Sequence, residues 1–360
     1  MINVSLPFLP PEEEYKQYIS QLWKTKWLTN NGVLVQELEK ALEQYLGIDS
    51  LCFVSNGTVA LQLAIKALDI KGEIITTPFS FVATTTSIIW ESCKPVFVDI
   101  DPRTLCIDVD KIEDVITDKT EAILATHVFG IPCDVERIEK IAKKFNLKVI
   151  YDAAHAFGVR YKERSLLSFG DISTISFHST KLYHTVEGGA IANNVSKDIT
   201  DKIKRLRSFG IEGDIHYLPG INAKNSEFHA AMGLCNLKYI DEIIEKRKKL
   251  TETYNIILSN LVERPSIAEE VIYNYSYYPV ILKTEQVLLK IKNMLEEEEV
   301  RTKRYFYPSL NTLPYLKDAS FCPVSEHLSR RILCLPLYSD LEIENVERIG
   351  NLIKNCLLRL

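Results

Sequence analysis

The chain has 360 residues, 46% of them hydrophobic and 25% charged, which is length enough for a large core plus a second, smaller domain. A formal net charge of −5, a pI near 5.9 and the absence of a clustered basic stripe exclude a nucleic-acid surface as the organising feature. No apolar run approaches the roughly 18–20 residues of a membrane span.

In chain order, Pro11 to Trp23 and Val33 to Tyr45 read as helices. Ser50 to Val54 reads as a short strand ending at Ser55-Asn56-Gly57-Thr58, with a helix over Val59 to Ala67. Strand Gly72 to Thr76, helix Phe81 to Trp90 and strand Lys94 to Asp99 follow. Then come strand Ala122 to His127, helix Asp134 to Phe145 and strand Lys148 to Asp152. Strands alternating with helices predict a mostly parallel sheet covered on both faces, with ligands at the carboxyl ends of its strands. Ile172 to His178 and Gly189 to Asn193 look like a hairpin-like pair, and Glu227 to Tyr254 like one long helical stretch. The boundary is placed at 238/239, giving a large domain over 1–238 and a small α+β domain over 239–360. The latter holds strand Tyr277 to Lys283 and helices Glu285 to Glu298 and Glu342 to Leu357.

The basic run Lys246 to Lys249 follows Asp241, Glu242 and Glu245 and reads as a solvated helix face. Eight scattered cysteines without a CxxC pair give no metal site and fit a reducing cytoplasm. The N-terminal residues lack the pattern of a signal peptide, so a cytoplasmic location is expected.

Three stretches carry chemistry. At Ser55-Asn56-Gly57-Thr58 a strand gives way to a helix, leaving free N–H groups and a positive dipole end that suit a phosphate; ordinary helix capping is the alternative. The apolar strand Val149 to Asp152 delivers a carboxylate to its end. Asp152 could pair with a protonated ring nitrogen, bind a metal or cap a helix. In SFHSTKLYHTVEGGAI, Lys181 lies among His178, His184 and apolar residues, which could depress its pKa and let it form an imine; a plain surface lysine is the alternative. Cradle, carboxylate and amine are the three needs of pyridoxal 5′-phosphate. They occur in that order, with about 95 residues from Gly57 to Asp152 and about 30 from there to Lys181.

That order resembles fold-type I enzymes of the aspartate aminotransferase superfamily. The motifs SNGTVALQLAI, TTPFSFVATTTSIIWESCKPVFVDID, HVFGIPCDVERI, VIYDAAHAFG, SFHSTKLYHTVEGGAI and GINAKNSEFHAAMGL resemble, in sequence, those of the DegT/StrS nucleotide-sugar aminotransferases. The resemblance implies an aspartate aminotransferase-like α/β fold, with a large mixed, mostly parallel sheet domain and a small α+β C-terminal domain. It implies pyridoxal 5′-phosphate as cofactor and roles for individual residues. Lys181 matches the lysine that carries the cofactor and moves the proton, and Asp152 the partner of the ring nitrogen. Gly57, Thr58 and Ser176 match phosphate-binding positions, and Phe81 an aromatic stacked on the ring. His155 stands where many members carry glutamine, near the cofactor's 3-hydroxyl, and its protonation is left open. Asn222 matches a residue reaching the phosphate of the other subunit, implying a homodimer with a shared site. Lys224 replaces a common arginine there, and is either a second basic group or a surface lysine.

His178, His184 and Tyr307 are candidate substrate contacts; each histidine could instead only pack, and the run Tyr305 to Pro308 could belong to the small-domain core. The pattern HxTKxxHTxEGG resembles members that aminate C4 of a nucleotide-linked 4-keto-6-deoxyglucose, the viosamine-forming type, with L-glutamate as donor and dTDP or UDP as the nucleotide. Amination at C3 of a 3-keto sugar is the alternative. Family members that remove the C3 hydroxyl replace the lysine by histidine, and Lys181 argues against that chemistry. The family's regulators should show a degraded site, whereas here every cofactor position is filled.

Overall fold

A computed structural model describes residues 1–316 and 320–359. It opens with helices α1 (Glu12–Thr25) and α2 (Val33–Leu46). Alternating units follow: β1 (Leu51–Val54), α3 (Gly57–Ala67), β2 (Glu73–Thr76), α4 (Val82–Trp90), β3 (Lys94–Phe97), β4 (Thr120–Thr126), α5 (Val135–Phe145) and β5 (Lys148–Asp152). A small ribbon of β6 (Arg160–Tyr161) and β7 (Arg164–Ser165) precedes β8 (Ile172–Ser176) and β9 (Gly189–Asn193). Next come α6 (Lys197–Arg207), the short hairpin β10 (Ile211–Glu212) and β11 (Ile215–His216), α7 (Glu227–Leu237) and α8 (Ile240–Leu258). The C-terminal part adds β12 (Val271–Ile272), β13 (Tyr278–Ile281), α9 (Glu285–Glu297), α10 (Pro323–Ser329), β14 (Ile332–Leu335) and α11 (Ile343–Leu357).

The main sheet has seven strands in the order β1-β9-β8-β5-β4-β2-β3. Neighbours from β3 to β8 run parallel, and β9 alone runs against them, pairing antiparallel with both β8 and β1. This is the mixed, mostly parallel sheet that the alternation of elements predicts. Successive side chains of a strand face opposite sides, and both sides are apolar. Ile74, Leu124, Ile150 and Ile191 pack with Ala60, Leu61 and Ala64 of α3. Ile75, Ile123, Val149, Tyr151 and Ile175 join Leu38 and Leu42 of α2 on the other face. Because β1, β2, β4, β5 and β8 are all parallel to one another, their carboxyl ends open at one edge, where the loops carry Gly57, Phe81, His127, Asp152 and Ser176.

A separate apolar core lies in the C-terminal part, built from Leu250, Tyr254, Val280, Leu288, Ile291, Leu333, Val346 and Ile349. Its two-stranded sheet pairs β13 with β14 antiparallel. The sequence reading placed no element on β14, α10 or α6.

Two expectations are corrected. The stretch Glu227 to Tyr254 is two helices, broken at Lys238-Tyr239. Both side chains there turn to one residue of α1: Lys238 Nζ lies 2.7 Å from Glu14 Oε2, and Tyr239 Oη donates to Glu14 Oε1. Nor is the run Lys246 to Lys249 uniformly solvated. Lys246 is exposed and pairs with Glu242, but Arg247 faces inward and is buried.

One buried ion pair ties α2, β1 and α6 together. Arg207 Nη1 lies 2.6 Å from Glu39 Oε1 and donates to the Phe53 carbonyl at 2.8 Å, while the Phe53 N–H donates to Glu39 at 2.8 Å. Removing one partner of such a pair leaves an uncompensated buried charge. Glu39→Ala is therefore expected to lower unfolding stability by about 3–5 kcal/mol, read as a shift of the urea midpoint with unchanged slope.

Candidate active site

The cradle forms where β1 stops. Asn56 caps α3, its side-chain oxygen accepting the Val59 N–H at 2.9 Å. That cap leaves the N–H groups of Gly57 and Thr58 pointing beyond the helix end without an intrahelical partner. Gly57 abuts Ser176 of β8: a Cβ on the glycine would lie 2.9 Å from Ser176 Cβ and 3.4 Å from its Oγ. Gly189 of β9 is forced from below, since a Cβ there would come within 2.5 Å of the Asn56 carbonyl carbon. Two glycines thus bring two amides and a hydroxyl to one point, which suits an anion with tetrahedral oxygens.

Asp152 ends β5 and is buried. Thr84 Oγ1 of α4 donates to its Oδ2 at 2.7 Å, and the Ala154 N–H donates to Oδ1 at 3.1 Å. Thr84 Oγ1 in turn lies 2.7 Å from Ser80 Oγ, which lies 2.9 Å from Thr126 Oγ1. This hydroxyl chain fixes the carboxylate, and sequence reasoning missed it. The available signal was Thr84 itself, one helical turn after Phe81 in SFVAT. Phe81 sits at the start of α4 and is 58% exposed, so its ring is free to cover a flat ligand.

Lys181 follows β8 in the turn that its N–H closes onto the His178 carbonyl at 2.9 Å. Burial pulls its pKa down from 10.5 to about 8, and the charge of Asp152 acts in the opposite direction. His155 is buried, and its pKa lies well below the usual histidine value, first through desolvation and then through the charge of Lys181. Its Nδ1 accepts the Phe129 N–H at 3.1 Å, so the neutral ring carries its proton on Nε2. That answers the question the sequence left open at this position. The ring packs between Tyr277, with centroids 4.5 Å apart, and Phe306, stacked at 5.7 Å.

The remaining candidates divide. His178 is partly exposed, its Nδ1 accepts the Thr180 N–H at 3.2 Å, and its Nε2 lies 3.6 Å from Glu187 Oε1. His184 is buried and committed to the fold. Its Nε2 lies 2.7 Å from the Phe8 carbonyl and its Nδ1 accepts the Val186 N–H at 3.2 Å, so the geometry gives it a packing role and not the expected substrate contact. The run Tyr305 to Pro308 also divides: Phe306 is buried against Phe79 and His155, whereas Tyr307 is 47% exposed with the Arg304 guanidinium 3.6 Å from its ring centre. Asn222 and its neighbour Ile221 are exposed on the segment after β11, and Asn222 pairs through its backbone with Ser208. Lys224 Nζ lies over the Phe209 ring at 4.6 Å, and burial followed by the Arg207 charge lowers its pKa.

Among the described residues no cluster of three or more metal-ligating side chains occurs, and no helix is long and apolar enough to cross a membrane. Gly57, Thr58, Ser176, Asp152 and Lys181 offer an anion cradle, a buried carboxylate and an amine of lowered pKa at one sheet edge. That donor set fits pyridoxal 5′-phosphate.

The comparisons agree. The model of the DegT/DnrJ/EryC1/StrS aminotransferase family matches residues 11–354. A dTDP-4-amino-4,6-dideoxy-D-glucose transaminase of Shigella dysenteriae is 42% identical over 362 residues, covering 98% of both chains. The crystal structure of DesI in the presence of its TDP-sugar product superposes with a TM-score of 0.94 at 30% identity, covering 99% of this chain and 93% of that one. A Bacillus subtilis structure with bound cofactor PMP matches with a TM-score of 0.89 at 27% identity, over 96% of this chain and 82% of that one.

A lysine whose pKa is lowered by burial costs stability while it must be charged. In the cofactor-free protein, Lys181→Met is expected to raise the melting temperature at neutral pH. Between about 8 and 10.5 the folded state has already released the proton that the unfolded state still holds, so the wild type gains stability as pH rises. The advantage of the methionine variant should shrink across that window in thermal melts.

Proposed function

The chain belongs to the DegT/DnrJ/EryC1/StrS aminotransferase family and is a pyridoxal phosphate-dependent nucleotide-sugar aminotransferase, and from that premise we propose that it moves the amino group of L-glutamate to C4 of a dTDP-linked 4-keto-6-deoxy-D-glucose. The product is the 4-amino-4,6-dideoxyglucose nucleotide. The observation that carries the chemistry is Lys181, an amine with a pKa near 8 beside Asp152. The choice of C4 and of dTDP rests on the pattern HxTKxxHTxEGG and on the Shigella relative, whose name specifies both.

Each residue has a defined task in this reading. The amides of Gly57 and Thr58 and the Ser176 hydroxyl would hold the cofactor phosphate, and Phe81 would cover the ring. Asp152, fixed by Thr84 and Ala154, would partner the ring nitrogen. His155, whose Nδ1 is already occupied by the Phe129 amide, would have its Nε2–H to offer the ring hydroxyl. When bound, pyridoxal phosphate supplies an electron sink that lets an amino group and a proton pass between donor and sugar carbon. Lys181 Nζ anchors the cofactor and carries the proton. An amine poised near 8 both accepts and returns a proton close to neutral pH, where general acid–base transfer is most efficient. The partly exposed His178–Glu187 pair and the exposed Tyr307 are read as contacts to the sugar nucleotide.

The working unit in this reading is a homodimer in which Asn222 and Lys224 of one protomer serve the other's site. Exposed large apolar side chains support it: Trp90 is 78% exposed, Ile215 56% and Tyr217 51%. Residues 1–238 and 239–360 are read as the large and small domains, a division supported by the helix break at Lys238-Tyr239 and the separate C-terminal core.

With L-glutamate and dTDP-4-keto-6-deoxyglucose, the cofactor-loaded protein should give a sugar whose NMR spectrum places an equatorial amine at C4; an amine formed only from a 3-keto isomer would replace the regiochemistry. Asp152→Asn should fold normally yet lose most turnover. Lys181→Ala should lose at least about 10²-fold in kcat, the scale of a lost general acid–base group.

A further inference from the structure

The turn that presents Glu187 is strained and is held from several sides. Val186 has a φ of 69°, a left-handed conformation that a β-branched residue rarely takes. Its N–H donates to His184 Nδ1 at 3.2 Å, and that ring is itself held 2.7 Å from the Phe8 carbonyl. The Glu187 carbonyl accepts Thr185 Oγ1 at 2.8 Å and Asn225 Nδ2 at 3.0 Å, and the Gly188 carbonyl accepts the Phe177 N–H at 2.8 Å. A Cβ at Gly188 would fall 2.1 Å from Thr185 Oγ1, so the turn closes only on glycine. Backbone strain that surrounding contacts keep in place gathers at functional positions. What this turn holds out is one carboxylate, for the Glu187 side chain is 55% exposed.

His178 joins that carboxylate to the site. Ser176 pairs with Gly189 across β8 and β9, and both residues abut the cradle at Asn56 and Gly57. The His178 N–H donates to Ser176 Oγ at 3.4 Å, and its carbonyl accepts the Lys181 N–H at 2.9 Å. Its Nδ1 accepts the Thr180 N–H at 3.2 Å, which leaves the ring proton on Nε2, 3.6 Å from Glu187 Oε1. Among the described residues no lysine, arginine or other histidine lies within ion-pair distance of Glu187. A carboxylate without a cation sorts the substrates by charge. It repels the diphosphate of a nucleotide sugar and the net negative amino donor. The hexose is the neutral part, and its hydroxyls are donors that a carboxylate accepts strongly. In a 4-keto-6-deoxyglucose, C1 carries the diphosphate, C4 the carbonyl, and C6 no oxygen. Hydroxyls remain only at C2 and C3, side by side, and two adjacent O–H groups match the two oxygens of one carboxylate. A 3-keto isomer has its hydroxyls at C2 and C4, on either side of the carbonyl, and offers no such pair.

We propose that Glu187 is the residue that selects the hexose, its carboxylate accepting the C2 and C3 hydroxyls together and so presenting C4 for amination. This rests on the C4 reading and deepens it, because the grip on the vicinal diol makes the position of the carbonyl a condition of binding. His178 is a positioning residue in this arrangement: its Nε2–H orients the carboxylate, and its backbone ties that carboxylate to Ser176 and Lys181. The selection acts on the sugar and leaves the nucleotide to other residues.

The test is calorimetry on the pyridoxamine phosphate form, which does not react with an aminosugar. The ligands are dTDP, dTDP-4-amino-4,6-dideoxyglucose and the 3-deoxy analogue of that aminosugar. In the wild type, deleting the C3 hydroxyl should weaken binding about ten- to a hundredfold, the scale of a lost hydrogen bond to a charged group. In Glu187→Gln the aminosugar itself should weaken by a similar factor, while dTDP alone should bind as it does to the wild type. Deleting the hydroxyl should then cost only about two- to tenfold more, the scale of a hydrogen bond between neutral groups. In turnover, the preference for the 4-keto over the 3-keto sugar should shrink in the variant by the factor lost in binding. A wild type indifferent to the C3 hydroxyl would overturn the proposal, and that measurement decides even if the glutamine variant does not fold. A variant that weakens dTDP as much as the aminosugar, or that binds every ligand normally, would overturn it too. A wild type that aminates only the 3-keto sugar, or binds no dTDP-linked sugar, would refute instead the reading beneath it.

Discussion

The structure turns on one desolvated amine. Lys181 is held where water is scarce, beside a carboxylate that only partly offsets the cost, and the balance leaves its pKa near 8. Everything else at the sheet edge can be understood as support for that placement. The antiparallel strand β9 returns the chain from Lys181 to the sheet beneath the Gly57 cradle, and only Gly189 allows it to pass so close. Asp152 must stay near enough to bias the amine and the cofactor ring, and far enough not to neutralise the amine in a closed ion pair. The hydroxyl chain of Thr84, Ser80 and Thr126 pins it at that position.

The same principle, burial deciding protonation, runs through the neighbouring groups. His155 would be an ambivalent residue if solvated. Buried against Phe306 and Tyr277 with its Nδ1 saturated, it becomes a fixed neutral donor. Arg247 shows the opposite case, a buried cation with no carboxylate within ion-pair distance among the described residues, only the more distant charge of Asp340 acting on it. Arg207, by contrast, has the Glu39 carboxylate and the Phe53 carbonyl as partners of its Nη1.

How much of this was legible in the sequence depends on how local the signal is. The parallel sheet was readable, because buried strands such as Lys148–Asp152 and helices such as α5 each carry a complete pattern within a few residues. The cradle, carboxylate and lysine were readable because each sits at a junction between elements. What escaped depends on distant partners. The break between α7 and α8 is set by Glu14, more than 220 residues earlier, and no local feature of Lys238-Tyr239 reveals it. His184 was read from the motif as either a substrate contact or a packing residue, and what decides for packing is the distant N-terminal segment at Phe8. Arg247 looked solvated, because a run of four basic residues does not show which one points inward. Thr84 had a signal of its own on α4, but its partner Asp152 lies 68 residues further on, at the end of β5.

A direct titration of the Lys181 amine would test the central constraint. In cofactor-free protein with its lysines isotopically labelled, the Lys181 resonance is assigned by comparison with the Lys181→Met variant and followed across pH by NMR. A midpoint close to 8 is expected if burial sets the amine's basicity against the pull of Asp152. A midpoint at the ordinary lysine value of 10.5 would show that the amine is solvated, and would contradict the account of how this site is poised.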